Sequence, residues 1–349
     1  MYRTMTCITV LGAGMMGSAL CVPLVDRGHE VRLVGTHLDG AIVKSLQESG
    51  VHPKLSYELP RGIRAYPVEE LEQAMQGAEV IGVGVSSPGV RWAAEKLASY
   101  ARRDVPISMI TKGLEWGGAE LALLPDVLRD GLGQPGIEPV AIAGPCIAGE
   151  LARRVETCVV VTSRNPSAAE RIAKLFSTPY YHLWPSADVA GVEACAALKN
   201  AYAMGMAFAQ GLHEKSGGAP GSVAMHNYES AVFAQSVREM QRIVELLGGS
   251  PDSAVGMAGV GDLDVTCNGG RTGRFGRLLG LGLGRDEAVR RMQGATLECL
   301  DILAVMRKAL PALESQGRLR DDELPLLRHM AEVALDDAPI DMPFSRFFG

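Results

Sequence analysis

The chain has 349 residues, of which 47% are hydrophobic and 21% are charged, and its formal net charge is −6. This length exceeds the size at which a single core usually stops growing, so we expect two domains. The acidic balance lacks the clustered lysine and arginine of a nucleic-acid surface, and the seven cysteines form no CxxC pair and no disulfide framework. We therefore expect no nucleic-acid partner, no metal site and a reducing, cytoplasmic location.

The N-terminus enters a β-like segment within five residues, which leaves no room for a signal peptide. No apolar run reaches the roughly 20 residues that a membrane-spanning helix needs. We expect a soluble protein without stable membrane insertion.

Short β-branched segments alternate with helix-compatible stretches in the first half of the chain. Strands are predicted at 6–11, 30–35, 79–85, 106–111, 139–143 and 157–162. Several are almost entirely apolar, as strands buried on both faces of a parallel sheet are. The alternation predicts an α/β domain with a mostly parallel sheet.

A triplet of glycines follows the first strand. Gly12, Gly14 and Gly17 have GxGxxG spacing between a strand and a helix, which is the phosphate-binding turn of a doubly wound Rossmann domain. We expect Gly12 to permit the turn, Gly14 to leave room for a pyrophosphate and Gly17 to let helix and strand approach. The helix N-terminus offers N–H groups to the anion.

The end of the second predicted strand carries Gly35, Thr36 and His37 where an NAD-binding domain usually has an acidic residue. Thr36 and His37 can donate hydrogen bonds to a 2′-phosphate, and this position carries no carboxylate that would repel it. The choice between NAD and NADP stays open, with NADP somewhat favoured.

After residue 188 the chain becomes rich in Ala, Leu and Met and shows no strand pattern. Helices are predicted at about 188–212, 221–247, 272–281, 285–292, 296–315 and 322–336. We therefore predict an NAD(P)-binding Rossmann domain over residues 1–187 and an all-α substrate and catalytic domain over residues 188–349.

One lysine lies in an otherwise small and apolar helical stretch. Lys199 has Cys195, Ala196, Tyr202 and Ala203 one turn away on either side. Burial favours the neutral form of an amine, so this lysine suits proton exchange with a carbonyl oxygen. The alternative is that its stem runs along the helix and its amine reaches the surface.

Asp262, Thr266 and Arg271 lie within a glycine-rich stretch at 256–276. Its composition favours a shaped loop over an amphipathic helix. The guanidinium of Arg271, with Arg274 nearby, matches phosphate oxygens, and Asp262 is placed to orient Lys199 or a substrate hydroxyl. A flexible connection is the structural alternative.

Two further loops follow later strands, where open α/β sheets bind ligands. Lys112 follows the strand at 106–111, and Gly144, Cys146 and Ala148 follow the strand at 139–143. Cys146 is expected to pack and not to act as a nucleophile, because no nearby histidine would activate it.

The motifs GAGMMG, TKGLE, GPCIAGE, ALKN and GVGDLDVTC followed by GGR occur in this order, and the whole chain resembles the NAD(P)-dependent glycerol-3-phosphate dehydrogenase family. The resemblance implies a Rossmann domain followed by a helical domain. It implies reversible hydride transfer between NAD(P)H and dihydroxyacetone phosphate, giving sn-glycerol 3-phosphate. It also implies a cytoplasmic homodimer acting in glycerophospholipid and carbohydrate metabolism.

The resemblance also assigns roles to residues. It implies that Lys199 is the catalytic acid/base and that Asn200, Asp262 and Thr266 support it. It also implies that Lys112, another member of the catalytic set, touches both substrate and nicotinamide. The implied substrate contacts are Lys112, Gly144, Cys146, Lys199, Asp262, Gly270, Arg271 and Thr272. The implied cofactor contacts are Gly12, Gly14, Met15, Met16, Gly17, Thr36, His37, Lys112, Ala148, Arg271, Thr296 and Glu298.

Three positions depart from the family pattern: Thr272 replaces the usual asparagine after Arg271, Cys146 replaces a small hydroxyl residue, and Cys299 replaces a glycine. Thr272 leaves another polyol phosphate or a small hydroxy acid as an alternative substrate. A dinucleotide sensor without catalysis is the alternative of a different class, although it has no need for Lys199 beside a phosphate-binding arginine.

Overall fold

A computed structural model describes residues 5–221, 225–268 and 270–347. The chain divides into two compact units. The first contains the described residues of Met1–Lys112 and Leu123–Val189, and the second contains those of Gly113–Ala122 and Ala190–Gly349. As domain boundaries, residues 187 and 188 stay a prediction.

The strands lie mainly in the first unit. They are β1 (Cys7–Leu11), β2 (Glu30–Val34), β3 (Val51–His52), β4 (Tyr57–Glu58), β5 (Ile63–Tyr66), β6 (Val80–Val83), β7 (Ile107–Met109), β8 (Leu114–Trp116), β9 (Leu121–Leu123), β10 (Val140–Ala143), β11 (Thr157–Thr162) and β12 (Tyr181–Ser186). Eight of them form one sheet in the order β12-β11-β10-β7-β6-β1-β2-β5. Neighbouring strands are parallel except for β10 and β11, so β11 and β12 run opposite to the other six.

Within the described residues, seven α-helices connect these strands. They are α1 (Met15–Asp26), α2 (Gly40–Ser49), α3 (Leu71–Met75), α4 (Val90–Leu97), α5 (Leu124–Leu132), α6 (Ala148–Ala152) and α7 (Pro166–Phe176). The core joins buried residues of β1, β2 and β11 to α1, α6 and α7, with Leu20 of α1 and Phe176 of α7 almost fully buried. Because central strands are covered on both faces, they are mostly apolar, with Thr9 of β1 and Ser108 of β7 as buried polar exceptions.

The six predicted strands are confirmed, but β5 and β12 are additional members of the sheet. Both lie at its edges. β12 contains Pro185, which reads as a turn signal in the sequence and is tolerated in a strand only at an edge. The predicted α/β fold class, with a mostly parallel sheet followed by helices, is confirmed.

Eight α-helices follow among the described residues of the second half of the chain. They are α8 (Val189–Lys215), α9 (His226–Leu246), α10 (Asp252–Val255), α11 (Asp262–Cys267), α12 (Gly270–Gly280), α13 (Arg285–Arg291), α14 (Glu298–Ser315) and α15 (Pro325–Asp336). The six predicted helices are confirmed within a few residues at each end, although residues 222–224 of one prediction lie outside the described residues. Among the described helices, none combines the length and apolarity needed to cross a lipid bilayer.

The second unit also contains a hairpin from earlier in the chain. β8 and the residues leading into β9 lie in Gly113–Ala122, and β8 packs against α14. The side-chain amide of Gln316, at the end of α14, donates to the carbonyl of Ala119. The helical unit therefore includes an antiparallel β-hairpin.

The prediction of a shaped loop over 256–276 is wrong in its described residues. A π-helical turn at Met257–Gly261 leads into α11, and α12 follows from Gly270. The glycines of α12 allow close helix packing: a Cβ on Gly276 would lie 2.3 Å from the carbonyl oxygen of Met204 in α8, and one on Gly280 would lie 2.5 Å from that of Phe208. These glycines therefore let two helix backbones meet and do not form a flexible loop.

Candidate active site

The turn between β1 and α1 has the geometry of a dinucleotide-binding turn. Gly12 has φ +113°, and a Cβ there would lie 2.6 Å from the backbone carbon of Gly84, which follows β6. A Cβ on Gly17 would lie 2.0 Å from the carbonyl oxygen of Gly12. Both positions therefore require glycine, as the motif predicts.

Gly14 differs from its two partners because nothing lies within 4 Å of the position where its Cβ would be. Gly14 is the N-cap residue of α1 and has no side chain that could cap the helix. The first turn of α1 contains no acidic residue. Met15 and Met16 begin the helix and are half-buried. The open space and unsatisfied N–H groups fit a pyrophosphate.

The turn after β2 contains a carboxylate that the sequence reasoning missed. Asp39 is 9% exposed, and its Oδ2 accepts hydrogen bonds from the backbone N–H of Thr36 at 2.9 Å and from the Thr36 hydroxyl at 2.8 Å. The single hydroxyl proton of Thr36 is therefore committed, so the expectation that Thr36 donates to a 2′-phosphate is not met by this geometry. His37 is exposed, and its ring forms a T-shaped pair with the ring of Trp92, with the two ring centroids 5.6 Å apart.

Four predicted site residues of the first unit lie around one small cavity. Lys112, Gly144, Cys146 and Met16 line it, and the Lys112 ammonium donates to the carbonyl oxygen of Gly144 at 3.1 Å. Gly144 has φ +126°, which turns the chain at the end of β10. The cavity of about 20 Å³ has room for one water-sized group. Ala148 begins α6 nearby in sequence and is half-buried.

Lys199 lies on α8 with 8% of its surface exposed, and its neighbours Cys195, Ala196, Tyr202 and Ala203 are fully buried. Its ammonium donates a hydrogen bond to Oδ1 of Asp262, which is 0% exposed, and the two form an ion pair. The alternative of a surface-reaching Lys199 is thereby wrong. Burying an ammonium is costly unless a carboxylate compensates it, and Asp262 does so.

The π-helical turn before α11 delivers Asp262 to this pair. A Cβ on Gly259 in that turn would lie 2.0 Å from the carbonyl oxygen of Ala254, so only glycine fits. Thr266 lies one helical turn after Asp262 and donates its hydroxyl to the Asp262 carbonyl at 2.6 Å. Short π-helical segments are frequent at functional sites because they redirect a single side chain.

Asn200, the residue after Lys199, is 7% exposed and donates from Nδ2 to Oε2 of Glu298 at 2.8 Å. Glu298 begins α14. Of the other predicted residues, Thr272 is buried in α12, whereas Gly270, Arg271 and Thr296 are exposed. The second unit thus brings together two predicted sets, Lys199 with Asp262 and Thr266, and Asn200 with Glu298.

Two of the positions that depart from the family pattern are cysteines, and both are at least partly buried. Cys299 is 0% exposed, and burial raises the pKa of its thiol to about 12. Cys146 is half-buried among the residues that line the small cavity. A protonated, buried thiol behaves as a small apolar group, so Cys299 is a packing residue.

Comparison with known proteins decides the family. Residues 7–169 match the family model for the NAD-dependent glycerol-3-phosphate dehydrogenase N-terminus, and residues 188–344 match the model for its C-terminus. A relative from Archaeoglobus fulgidus named NADP(+)-dependent glycerol-3-phosphate dehydrogenase is 37% identical over 289 residues, which cover 82% of this chain and 83% of the relative. The chain belongs to the NAD-dependent glycerol-3-phosphate dehydrogenase family.

Solved structures agree with this membership of the glycerol-3-phosphate dehydrogenase family. The glycerol-3-phosphate dehydrogenase of Coxiella burnetii superimposes with a TM-score of 0.80 at 27% identity and covers 96% of each chain. The Plasmodium falciparum enzyme superimposes with a TM-score of 0.82 over 100% of this chain and 99% of its own, at 16% identity. At that identity the second likeness shows the fold alone.

Proposed function

We propose that the chain is an NAD(P)-dependent glycerol-3-phosphate dehydrogenase that interconverts dihydroxyacetone phosphate and sn-glycerol 3-phosphate. The observation that carries this proposal is the buried ion pair of Lys199 with Asp262 on apolar helices of a family member. Burying a lysine in this way is costly, and a role in proton transfer accounts for it better than a purely structural role does.

The proposed chemistry is a paired transfer of hydride and proton. When bound, reduced nicotinamide supplies the hydride to the carbonyl carbon of the substrate. Lys199 donates a proton from Nζ to the carbonyl oxygen, which becomes a hydroxyl, and the amine regains a proton from solvent. Asp262 orients the ammonium and stabilises its charge before transfer. In the reverse direction the neutral amine accepts the hydroxyl proton.

The remaining predicted residues bind and orient the ligands in this proposal. Arg271, exposed at the start of α12, holds the substrate phosphate through its planar guanidinium, with Gly270 and Thr272 beside it. Lys112 contacts both substrate and nicotinamide, and Gly144 and Cys146 contact substrate. The cofactor lies along Gly12, Gly14, Met15, Met16, Gly17, Thr36, His37, Ala148, Arg271, Thr296 and Glu298.

We propose that both cofactors are accepted and that NADPH is somewhat favoured. His37 is exposed after β2, and residues 35–37 contain no carboxylate. The name of the Archaeoglobus fulgidus relative supports the same preference. Asp39 lies nearby, but its Oδ2 is turned inward to Thr36.

We further propose a cytoplasmic homodimer acting in glycerophospholipid and carbohydrate metabolism. Size-exclusion chromatography with light scattering tests the dimer.

Steady-state oxidation of NADH and of NADPH, run in parallel with dihydroxyacetone phosphate, tests the function. We expect turnover with both cofactors and a higher kcat/KM with NADPH. Cofactor binding without turnover would contradict the proposed enzymatic activity and favour the alternative of a dinucleotide-sensing protein. Because Thr272 is buried where the family usually has asparagine, a panel of phosphorylated and unphosphorylated ketones tests the alternative substrates.

A further inference from the structure

The backbone of Ala13, between Gly12 and Gly14, is held on both sides by side chains that lie outside the glycine motif. Its N–H donates to Oδ2 of Asp39 at 3.2 Å. Its carbonyl oxygen lies 3.1 Å from Nε2 of His52 and also accepts from the Ser18 hydroxyl at 3.1 Å. Glycines on either side give the backbone here unusual rotational freedom, so these contacts restrict what the motif leaves free.

His52 has a defined role in this arrangement because its other nitrogen is also occupied. It is 0% exposed, and the backbone N–H of Leu55 donates to its Nδ1 at 3.2 Å. A neutral imidazole that accepts at Nδ1 carries its proton on Nε2, so His52 donates to the Ala13 carbonyl. Burial lowers the pKa of His52, which keeps the ring in this neutral, one-donor form.

Asp39 accepts the hydrogen bond from the Ala13 N–H, although it lies at the N-terminus of another helix. It is the N-cap residue of α2, where an aspartate commonly accepts N–H groups of its own helix, yet its side chain makes no such bond. Instead Oδ2 accepts from Ala13 and twice from Thr36. The carboxylate therefore joins the turn after β1 to the turn after β2 through charge-assisted hydrogen bonds.

The consequence concerns the pyrophosphate and not the ribose. Rotating the backbone at Ala13 would shift Gly14 and the first N–H groups of α1, which would face a bound pyrophosphate. We propose that Asp39 and His52 are positioning residues that clamp the Ala13 backbone and thereby set the affinity for both cofactors alike. This inference rests on the proposed dinucleotide binding and goes beyond it by assigning residues that make no contact with the cofactor.

Fluorescence titration of the full chain with NADH and with NADPH tests the clamp. Asp39→Ala and His52→Leu are each expected to raise Kd about 10-fold or more for both cofactors, the effect of losing one strong hydrogen bond, with the NADH to NADPH ratio unchanged. His52→Gln, which restores a donor, should recover most of the affinity. At saturating cofactor, kcat should change by less than about 3-fold.

Because both side chains hold the backbone of one residue, Asp39→Ala combined with His52→Leu should cost less than the product of the single effects. His329→Leu is the matched control. His329 is another buried histidine that accepts a backbone N–H, that of Asp341, but it lies in the second unit. This variant should lower Tm and leave both Kd values unchanged.

Three outcomes would overturn the clamp: an unchanged Kd in the folded Asp39 and His52 variants, a changed NADH to NADPH ratio, or equal weakening by His329→Leu. A changed ratio would identify Asp39 as a ribose contact instead. If His52→Leu fails to fold, Asp39→Ala carries the test, because it removes the other side-chain bond to Ala13. Failure of the wild-type chain to bind either cofactor would instead contradict the proposed function.

Discussion

The amide of Asn200 donates from Nδ2 to Oε2 of Glu298 over 2.8 Å, which links the helix that carries Lys199 to the first turn of α14. A carboxylate accepts but does not donate, so this contact fixes which end of the amide faces Glu298. The carbonyl end of Asn200 is thereby set relative to Lys199, the preceding residue. Glu298 therefore orients a side chain of the helix that carries Lys199, in addition to its proposed contact with the cofactor.

Removing the acceptor should disturb catalysis more than cofactor binding. For Glu298→Ala we expect kcat to fall about 10-fold, the size of one charge-assisted hydrogen bond, because the Asn200 amide becomes free to rotate. Glu298→Gln keeps an acceptor oxygen and should retain most of the activity. Steady-state kinetics with varied cofactor checks this; a raised cofactor KM with unchanged kcat would restrict Glu298 to a cofactor contact.

Loss of the buried amine should affect stability and turnover separately. Lys199→Met removes the ammonium that pairs with Asp262 while the Asp262 carboxylate stays buried, so we expect a loss of about 3–5 kcal/mol in the free energy of unfolding. Combining it with Asp262→Asn removes the charge and should restore most of that stability. Urea unfolding and initial rates together provide the test.

Turnover should fall by about 10²- to 10⁴-fold in both the single and the double variant, because neither has the proton donor. Cofactor affinity should be retained. An active Lys199→Met enzyme would show that another residue is the acid/base. A double variant as unstable as Lys199→Met would show that the stability is not lost through the unpaired charge of Asp262.

Two glycines on α12 offer a matched pair for testing the close helix packing. Gly276→Ala places a Cβ 2.3 Å from the Met204 carbonyl oxygen and should destabilise the chain by about 1–3 kcal/mol. Gly273→Ala meets nothing within 4 Å and should stabilise it by up to about 1 kcal/mol through helix propensity. Urea unfolding measures both, and equal signs would contradict the packing argument.

Acid should weaken the second unit through His329. Burial lowers the pKa of this histidine below 6.5 despite the nearby carboxylates of Glu332 and Asp341. The unfolded chain therefore binds the proton more readily, so the contribution is complete above about pH 6.5 and is lost as pH falls towards the folded pKa. The loss is about 1.4 kcal/mol for each unit of pKa difference.

The comparison that isolates this effect is His329→Gln, which keeps an acceptor for the Asp341 N–H and cannot titrate. Unfolding free energies at pH 7.5 and 5.5 should differ less in the variant than in the wild-type chain. A variant with the same pH dependence as the wild type would assign the acid sensitivity to other groups.

The central strands were predictable because burial on both faces leaves a continuous apolar signal. The two edge strands were not, since β5 has no buried residue and β12 contains Pro185. Their place in the sheet depends on pairing with a neighbouring strand, which the residues of β5 and β12 do not reveal.

The site shows the same division. Lys199 was predictable because an amine among small apolar residues is locally conspicuous, and the polar cluster in the glycine-rich stretch already indicated Asp262 as a residue that could orient it. The helices across 256–276 were not, because Gly276 meets Met204 of another helix, far away in sequence. Asp39 was also missed, since its side chain leaves its own helix for the Ala13 turn.

The hairpin at Gly113–Ala122 makes the units discontinuous in sequence. The backbone crosses from one unit to the other three times, after Lys112, after Ala122 and after Val189. A chimera with a relative that exchanged only residues 188–349 would therefore give α14 a foreign hairpin as its packing partner. Recombination and domain-swap engineering in this family have to carry the hairpin together with the helices.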